Sequence, residues 1–345
     1  MMRAMRILLI GGNGFIGRAL VSTLQQQGHA LALFHRGTTA APANVDEIQG
    51  DRNQLHASTP QFQKFAPDAV IDLILSSGSQ AEELMNVFRG LTSRIVMLSS
   101  IDVYRAINIS QGTEEGPLEP VPLTEDSPLR QKLHPYPPES LQALRKIFAW
   151  VTDDYDKIPA ERIVMTHPEL PGTVLRLPMI YGPGDPLHRF YPIVKRIADG
   201  RRHILSADTL GAWRSPRGYV VNVAAAIALA ATDNRAVGRI YNVCEEPAFS
   251  ELEWSKKIAD AMQWNGEFVV LPAERTPAHL MRPGNAAQHW SASSARIRRE
   301  LGFQEPVSIE EAIRQTIPWE RENPPVLPLA HFDYAAEDAA LASNP

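Results

Sequence analysis

Short apolar runs alternate with amphipathic stretches through the first half of the chain. Arg6–Ile10 is an apolar run of strand length. Gly17–Gln27 places Leu20, Val21 and Leu24 on one helical face, and Gly28 closes it. Ala30–Phe34 predicts a second strand and Ala69–Leu75 a third, after a turn rich in proline and aspartate. Gln80–Leu91 reads as a helix, Arg94–Ser99 as another strand and Thr173–Leu177 as one more. Strand, helix and strand in succession imply a parallel sheet with right-handed crossovers. The expected class is α/β, a doubly wound parallel sheet.

The texture changes after Gly182-Pro183-Gly184. Helix-like stretches (Phe190–Asp199, Glu251–Met262, Ile309–Trp319) mix with short extended pieces such as Glu267–Leu271, and prolines cluster. This predicts a nucleotide-binding domain over 1–185, with 217–243 returning to it. A smaller mixed α/β lobe takes 186–216 and 244–330. Residues 331–345, rich in alanine and acids, read as a frayed tail. There is no internal repeat and no low-complexity block.

Composition narrows the function classes. The 345 residues are 44% apolar and 21% charged, enough for a large core. The formal net charge of -5 offers no broad basic field, so neither nucleic acid nor a membrane surface is an expected partner. Cys244 is the single cysteine, which rules out an intrachain disulfide. The apolar run near the amino terminus is too short for a signal peptide. No segment approaches the roughly 18 apolar residues of a spanning helix; Tyr219–Ala231 is interrupted by Asn222. The chain reads as cytoplasmic. Its histidines show no HxxxH or HxH spacing, so no metal site is expected, and no Gly-x-Ser-x-Gly elbow is present.

The strongest motif is Gly11-Gly12-Asn13-Gly14-Phe15-Ile16-Gly17, which follows a strand and opens a helix. A tight turn, a close backbone approach to a pyrophosphate and helix-on-strand packing each demand a residue without Cβ. The helix start then presents free N–H groups and a partial positive charge to phosphates. This makes the sheet a Rossmann-type one and the cofactor NAD(P). After the second strand the sequence is Phe34-His35-Arg36-Gly37, without the acid that usually bonds the ribose hydroxyls of NAD. Arg36 can fork onto a 2′-phosphate, which favours NADP(H) over NAD(H).

These residues and several further segments resemble the extended short-chain dehydrogenase/reductase family, also called the NAD-dependent epimerase/dehydratase family. The glycines at 11, 14 and 17 have its GxxGxxG spacing. Gly50-Asp51 resembles the family's acid after the third strand, which contacts adenine, and Arg52 beside it joins the expected cofactor set. Leu98-Ser99-Ser100-Ile101-Asp102-Val103-Tyr104 resembles the family's serine-rich strand end. Leu175-Arg176-Leu177-Pro178-Met179-Ile180-Tyr181-Gly182-Pro183-Gly184 is similar to its LRxxxxYGPG segment, and Arg217–Val223 to its return segment, with Asn222 where an acid often sits. The likeness runs from about residue 6 to about 320. It implies a nicotinamide near Ser100 and Pro178, hydride transfer at a carbon bearing a hydroxyl or carbonyl, a small-molecule substrate such as a sugar nucleotide or small carbonyl compound, and often a homodimer.

The family's Tyr-x-x-x-Lys pair is absent from its place. Tyr191 and Lys195 have that spacing but lie in the second lobe. Lys157, with Glu161 four residues on, matches the family's lysine, expected to hold the ribose; the tyrosine slot is then Asp153. Tyr155 stands two residues before Lys157, about 200° around a regular helix. Pro159 makes a regular helix there costly, or else the helix starts near Ile158. Tyr136, followed by Pro137-Pro138 that allow no helix to continue, is the other candidate acid. The expected catalytic set is Ser100, which orients the substrate oxygen, Lys157 and Tyr155, with Tyr136 as the alternative acid and an absent acid as the third reading. That third reading makes the chain a non-catalytic NADP(H)-binding sensor or scaffold. His188, Arg189, Arg214 and Arg217 are candidate anion contacts of the substrate lobe or a solvated basic stretch; Trp254, Trp264, Trp290 and Trp319 read as packing.

Overall fold

The computed structural model describes residues 4–38, 40–326 and 332–343. Among them run β1 (Arg6–Ile10), β2 (Ala30–His35), β3 (Asp46–Gln49), β4 (Ala69–Asp72), β5 (Ile95–Ser100), β6 (Thr173–Leu177), β7 (Met179–Tyr181), β8 (His203–Ala207), β9 (Arg217–Tyr219), β10 (Ile240–Asn242) and β11 (Glu267–Leu271). Seven form one sheet in the order β10-β6-β5-β4-β1-β2-β3, and each pairing is parallel. This is the expected Rossmann-type order, which reverses direction between β1 and β4. The other four strands pair as β11-β8 and β7-β9.

Alternation along the strands builds two apolar layers. Ile7, Leu9, Leu31, Leu33, Ile71 and Val96 face the helices Phe15–Gln26 and Val220–Thr232. Leu8, Ile10, Ala32, Phe34, Val70 and Met97 face the helices Thr59–Phe65, Gly78–Phe88 and Lys157–Thr166. Because both faces are covered, the strands read as unbroken apolar runs.

Three expectations need correction, and a fourth, which left two readings open, is settled. The third strand is Asp46–Gln49, so Ala69–Asp72 is the fourth; of β3 only Ile48 is buried. The prolines after Tyr136 start a helix rather than only ending one: Pro137 caps Pro138–Ile147, where the missing N–H costs nothing. Of the two readings of Pro159, the late helix start holds to within one residue: the helix starts at Lys157 with Asp156 as cap, and Pro159 falls in its first turn. The expected tail contains the helix Tyr334–Ala342, whose Glu337 is fully buried against Arg196; residues 331, 344 and 345 lie outside the described residues. Among the described residues no helix is long and apolar enough to cross a membrane.

Candidate functional site

The loop after β1 is shaped by its glycines. Gly11 has φ +84°, a conformation L side chains rarely adopt, and its N–H bonds Phe34 O at 3.1 Å. At Gly17 a Cβ would stand 2.2 Å from Gly12 O, so helix and strand can approach this closely only without a side chain. Gly14 caps the helix Phe15–Gln26 with no side-chain bond, which leaves the N–H groups of the first turn to a ligand. A cleft of about 520 Å³ opens here, at the point where strand order reverses. Gly11, Asn13, Gly14, Phe15, Ile16 and Gly17 line it, with His35, Arg36, Asp51 and Arg52.

The expected cofactor residues divide. Arg36 is exposed at the cleft with no hydrogen-bond or ion-pair partner among the described residues. Beside it, the His35 ring has Asn13 Nδ2 and Gly37 N both on Nδ1 (3.1 and 3.2 Å), which leaves its hydrogen on Nε2, 3.0 Å from Glu47 Oε1. Asp51 stands at the rim and accepts the Asn53 N–H at 2.9 Å. Arg52 is buried, with Nε 2.8 Å and Nη2 2.7 Å from Asp72 Oδ2, so most of its guanidinium braces β4 instead of facing a ligand. Pro178 lies outside the cleft, packed where a Cβ on Gly218 would come within 3.0 Å of its Cγ.

The candidate catalytic residues gather past the carboxyl ends of β4 and β5. Ser100 ends β5, and its Oγ accepts the Asp102 N–H at 3.2 Å. Lys157 is buried, and its ammonium bonds the carbonyls of Leu75 and of Leu98 (3.1 Å). Burial pushes its pKa down to about 8, against the pull of Asp102, Asp72 and Glu161. The Trp150 ring, which walls the cleft, lies 5.0 Å from Lys157 Nζ, and the Tyr155 ring lies 5.8 Å from it. Trp150 thus touches both the cleft, which Lys157 does not line, and the lysine. Tyr155 is buried in an aromatic cluster with Trp150 and Tyr136, and no hydrogen bond reaches its hydroxyl among the described residues. Tyr136, whose ring centroid is 5.6 Å from that of Tyr155, donates its hydroxyl to Asp102 Oδ2 at 2.9 Å. Neither Asp102 nor Trp150 could be assigned a role from sequence: Asp102 stood in the serine-rich segment, but its partner Tyr136 lies 34 residues on, and Trp150, although near Tyr155 and Lys157 along the chain, belongs to no spaced motif.

A model of the NAD dependent epimerase/dehydratase family matches residues 7–244. The chain belongs to this family of enzymes. It is 29% identical over 123 residues to a 2′-dehydrokanamycin reductase of Streptomyces kanamyceticus, a match spanning 35% of this chain and 32% of that protein. It is 24% identical over 252 residues to a 3-diazoavenalumate denitrifying reductase of a Streptomyces species, spanning 71% of this chain and 77% of that one. The fold superposes on a dTDP-glucose 4,6-dehydratase of Bacillus anthracis in complex with NAD, with TM-score 0.65 at 17% identity, covering 93% of this chain and 97% of that one.

Several family-like residues serve the frame of this epimerase/dehydratase fold. Arg176 is buried, bonded to Glu161 (Nε–Oε1 3.1 Å, Nη2–Oε2 2.7 Å) and to Tyr104 Oη at 3.0 Å, and Tyr104 donates to Asn242 Oδ1 at 2.6 Å. This buried chain ties β6, the helix after Lys157 and β10 together. In the second lobe the candidate anion contacts all have acidic partners: His188 with Glu320, Arg189 with Asp185, Arg214 with Glu253, Arg217 with Glu251. Lys195, of the misplaced Tyr-x-x-x-Lys spacing, pairs with Asp199. The four tryptophans pack against other rings, Trp254 on Tyr181 and Phe190, Trp264 on Phe268, Trp290 on Trp213 and Trp319 on His188.

Proposed function

We propose that this chain is an NADP(H)-dependent oxidoreductase that reduces a small carbonyl compound or oxidises the matching alcohol, within a family of epimerases and dehydratases. The observation that carries the cofactor choice is Arg36, a guanidinium at the cleft without a partner among the described residues, beside a loop that leaves room for a pyrophosphate. A bound nicotinamide supplies or accepts hydride. The chain's own residues hold the dinucleotide (glycine loop, Arg36, Asp51), orient the substrate oxygen (Ser100) and carry positive charge nearby (Lys157). A small carbonyl compound is favoured over a sugar nucleotide because the candidate anion contacts of the second lobe are already paired within the protein. The reductase names of the two curated relatives support the same direction.

Titration of NADPH and NADH by tryptophan fluorescence tests the reading. The wild type is expected to bind NADPH more tightly than NADH. Arg36→Ala is expected to weaken NADPH about tenfold, about 1.4 kcal/mol, and leave NADH unchanged. Equal affinities in both proteins would reject the NADP(H) preference. A second reading, a dinucleotide sensor without turnover, draws on the engagement of Lys157 by two carbonyls and an indole; tight NADPH binding with no oxidation by a panel of aldehydes and ketones would favour it.

A further inference from the structure

We propose that Asp102 is the proton reservoir of this site and that the Tyr136 hydroxyl passes its proton to and from the substrate oxygen, an arrangement that rests on the oxidoreductase reading above. The pair lies where an open α/β sheet places its ligand, past the carboxyl end of β5 and two residues beyond Ser100. Tyr136 Oη is 2.9 Å from Asp102 Oδ2, close enough for either oxygen to hold the bridging hydrogen. Asp102 Oδ1 is shut away from solvent and meets no donor among the described residues.

The surrounding charges are committed elsewhere. Arg130 forks onto Asp156 at 2.6 and 3.1 Å and gives Asp102 only an Nε bond to its main-chain oxygen. Lys157 is bonded to two carbonyls, and Tyr155 adds a ring without charge. Among the described residues no cation lies within 4.0 Å of the Asp102 carboxyl. An ionised carboxylate has about four acceptor positions to fill, and here one donor serves them, so the neutral carboxyl is the form this pocket suits. Burial accordingly pushes the Asp102 pKa up, opposed by Arg130, the Tyr136 bond and Lys157, and aided by Asp156. The Asp102 charge and burial also hold the Tyr136 phenol well above its ordinary range, so a lasting phenolate beside a carboxylate is disfavoured.

A relay avoids that state. In reduction, a bound dihydronicotinamide would supply hydride to the substrate carbonyl carbon, and the carbonyl π pair would move onto oxygen. That oxygen takes the Tyr136 hydroxyl proton, while Tyr136 takes the proton of the Asp102 carboxyl. Asp102 is left as carboxylate and is reprotonated from water. Oxidation of the alcohol runs the same transfers backwards.

Infrared spectroscopy tests the reservoir without any ligand. The wild type minus Asp102→Asn difference spectrum near neutral pH should contain the band of one protonated carboxyl, and Tyr136→Phe should shift that band. A difference spectrum showing an ionised carboxylate overturns the proposal, and so does a band that Tyr136→Phe leaves in place. With NADPH and 4-nitrobenzaldehyde, Tyr136→Phe should lower kcat about a hundredfold. Asp102→Asn should abolish the fall of kcat with rising pH. Wild-type kcat in Tyr136→Phe overturns the relay. Failure to bind NADPH, read by fluorescence, would instead reject the oxidoreductase reading.

Discussion

Gly17 illustrates how the backbone alone can choose a residue. With the Gly12 carbonyl 2.2 Å from the position of a Cβ, any side chain must push the helix off the loop. Gly17→Ala is expected to lower stability by about 1–3 kcal/mol, as overpacking does, and to weaken NADPH by at least about tenfold; urea unfolding and calorimetric titration check the two effects. Such a position is legible in a sequence because its cause sits a few residues away. Arg36 is legible for the same reason, following directly from the strand that positions it. Asp102 is not: its partner Tyr136 lies 34 residues on. The carbonyls that hold Lys157 lie 59 and 82 residues back. Spacing marked Lys157, yet nothing in the spacing could show that Trp150 would cover it. The doubt over Tyr155 dissolves on the cap: Asp156 accepts the Ile158 N–H at 2.9 Å and starts the helix, so Tyr155 precedes it and helical phase does not apply.

At the scale of elements, legibility followed the apolar pattern each element carries. β1, β6 and β11 were readable to their ends, and β2 and the helix Phe15–Gln26 nearly so, since each carries an apolar pattern of its own. β3, with the sequence Asp-Glu-Ile-Gln, is an edge strand of one buried side chain and takes its conformation from pairing with β2. The helix Tyr334–Ala342 was misread as a tail because its buried anchor is a single carboxylate. Glu337 meets Arg196 at 2.6 Å and His279 at 3.0 Å, with both acid and guanidinium buried. Glu337→Ala leaves a buried guanidinium without its acid, a loss of about 3–5 kcal/mol. Hydrogen exchange should show the amides of 334–342 opened while the central sheet stays protected; unchanged protection there would mean the helix is held by other contacts.

Across the whole molecule, the junction between the central sheet and the second lobe carries a pH dependence. Glu245, just past β10, accepts bonds from Tyr219 N at 3.0 Å and Tyr181 Oη at 3.2 Å. Burial pushes it from 4.5 up to about 7. A raised acid favours the folded state most when protonated. Its contribution is therefore full below 4.5 and is lost as pH rises through about 7, about 3 kcal/mol over that window. Urea unfolding of Glu245→Gln should lack this part of the decline, while the wild type shows it.

Strand order also sets a schedule for biosynthesis. β6 is flanked by β5, made earlier, and by β10, which the ribosome delivers more than sixty residues later. At roughly 5–20 residues per second that interval lasts several seconds, during which the β6 edge presents unpaired N–H and C=O groups. A nascent chain stalled before residue 240 carries a finished glycine loop on an unfinished sheet. In that interval the growing polypeptide is most open to chaperone capture or to pairing with another nascent chain.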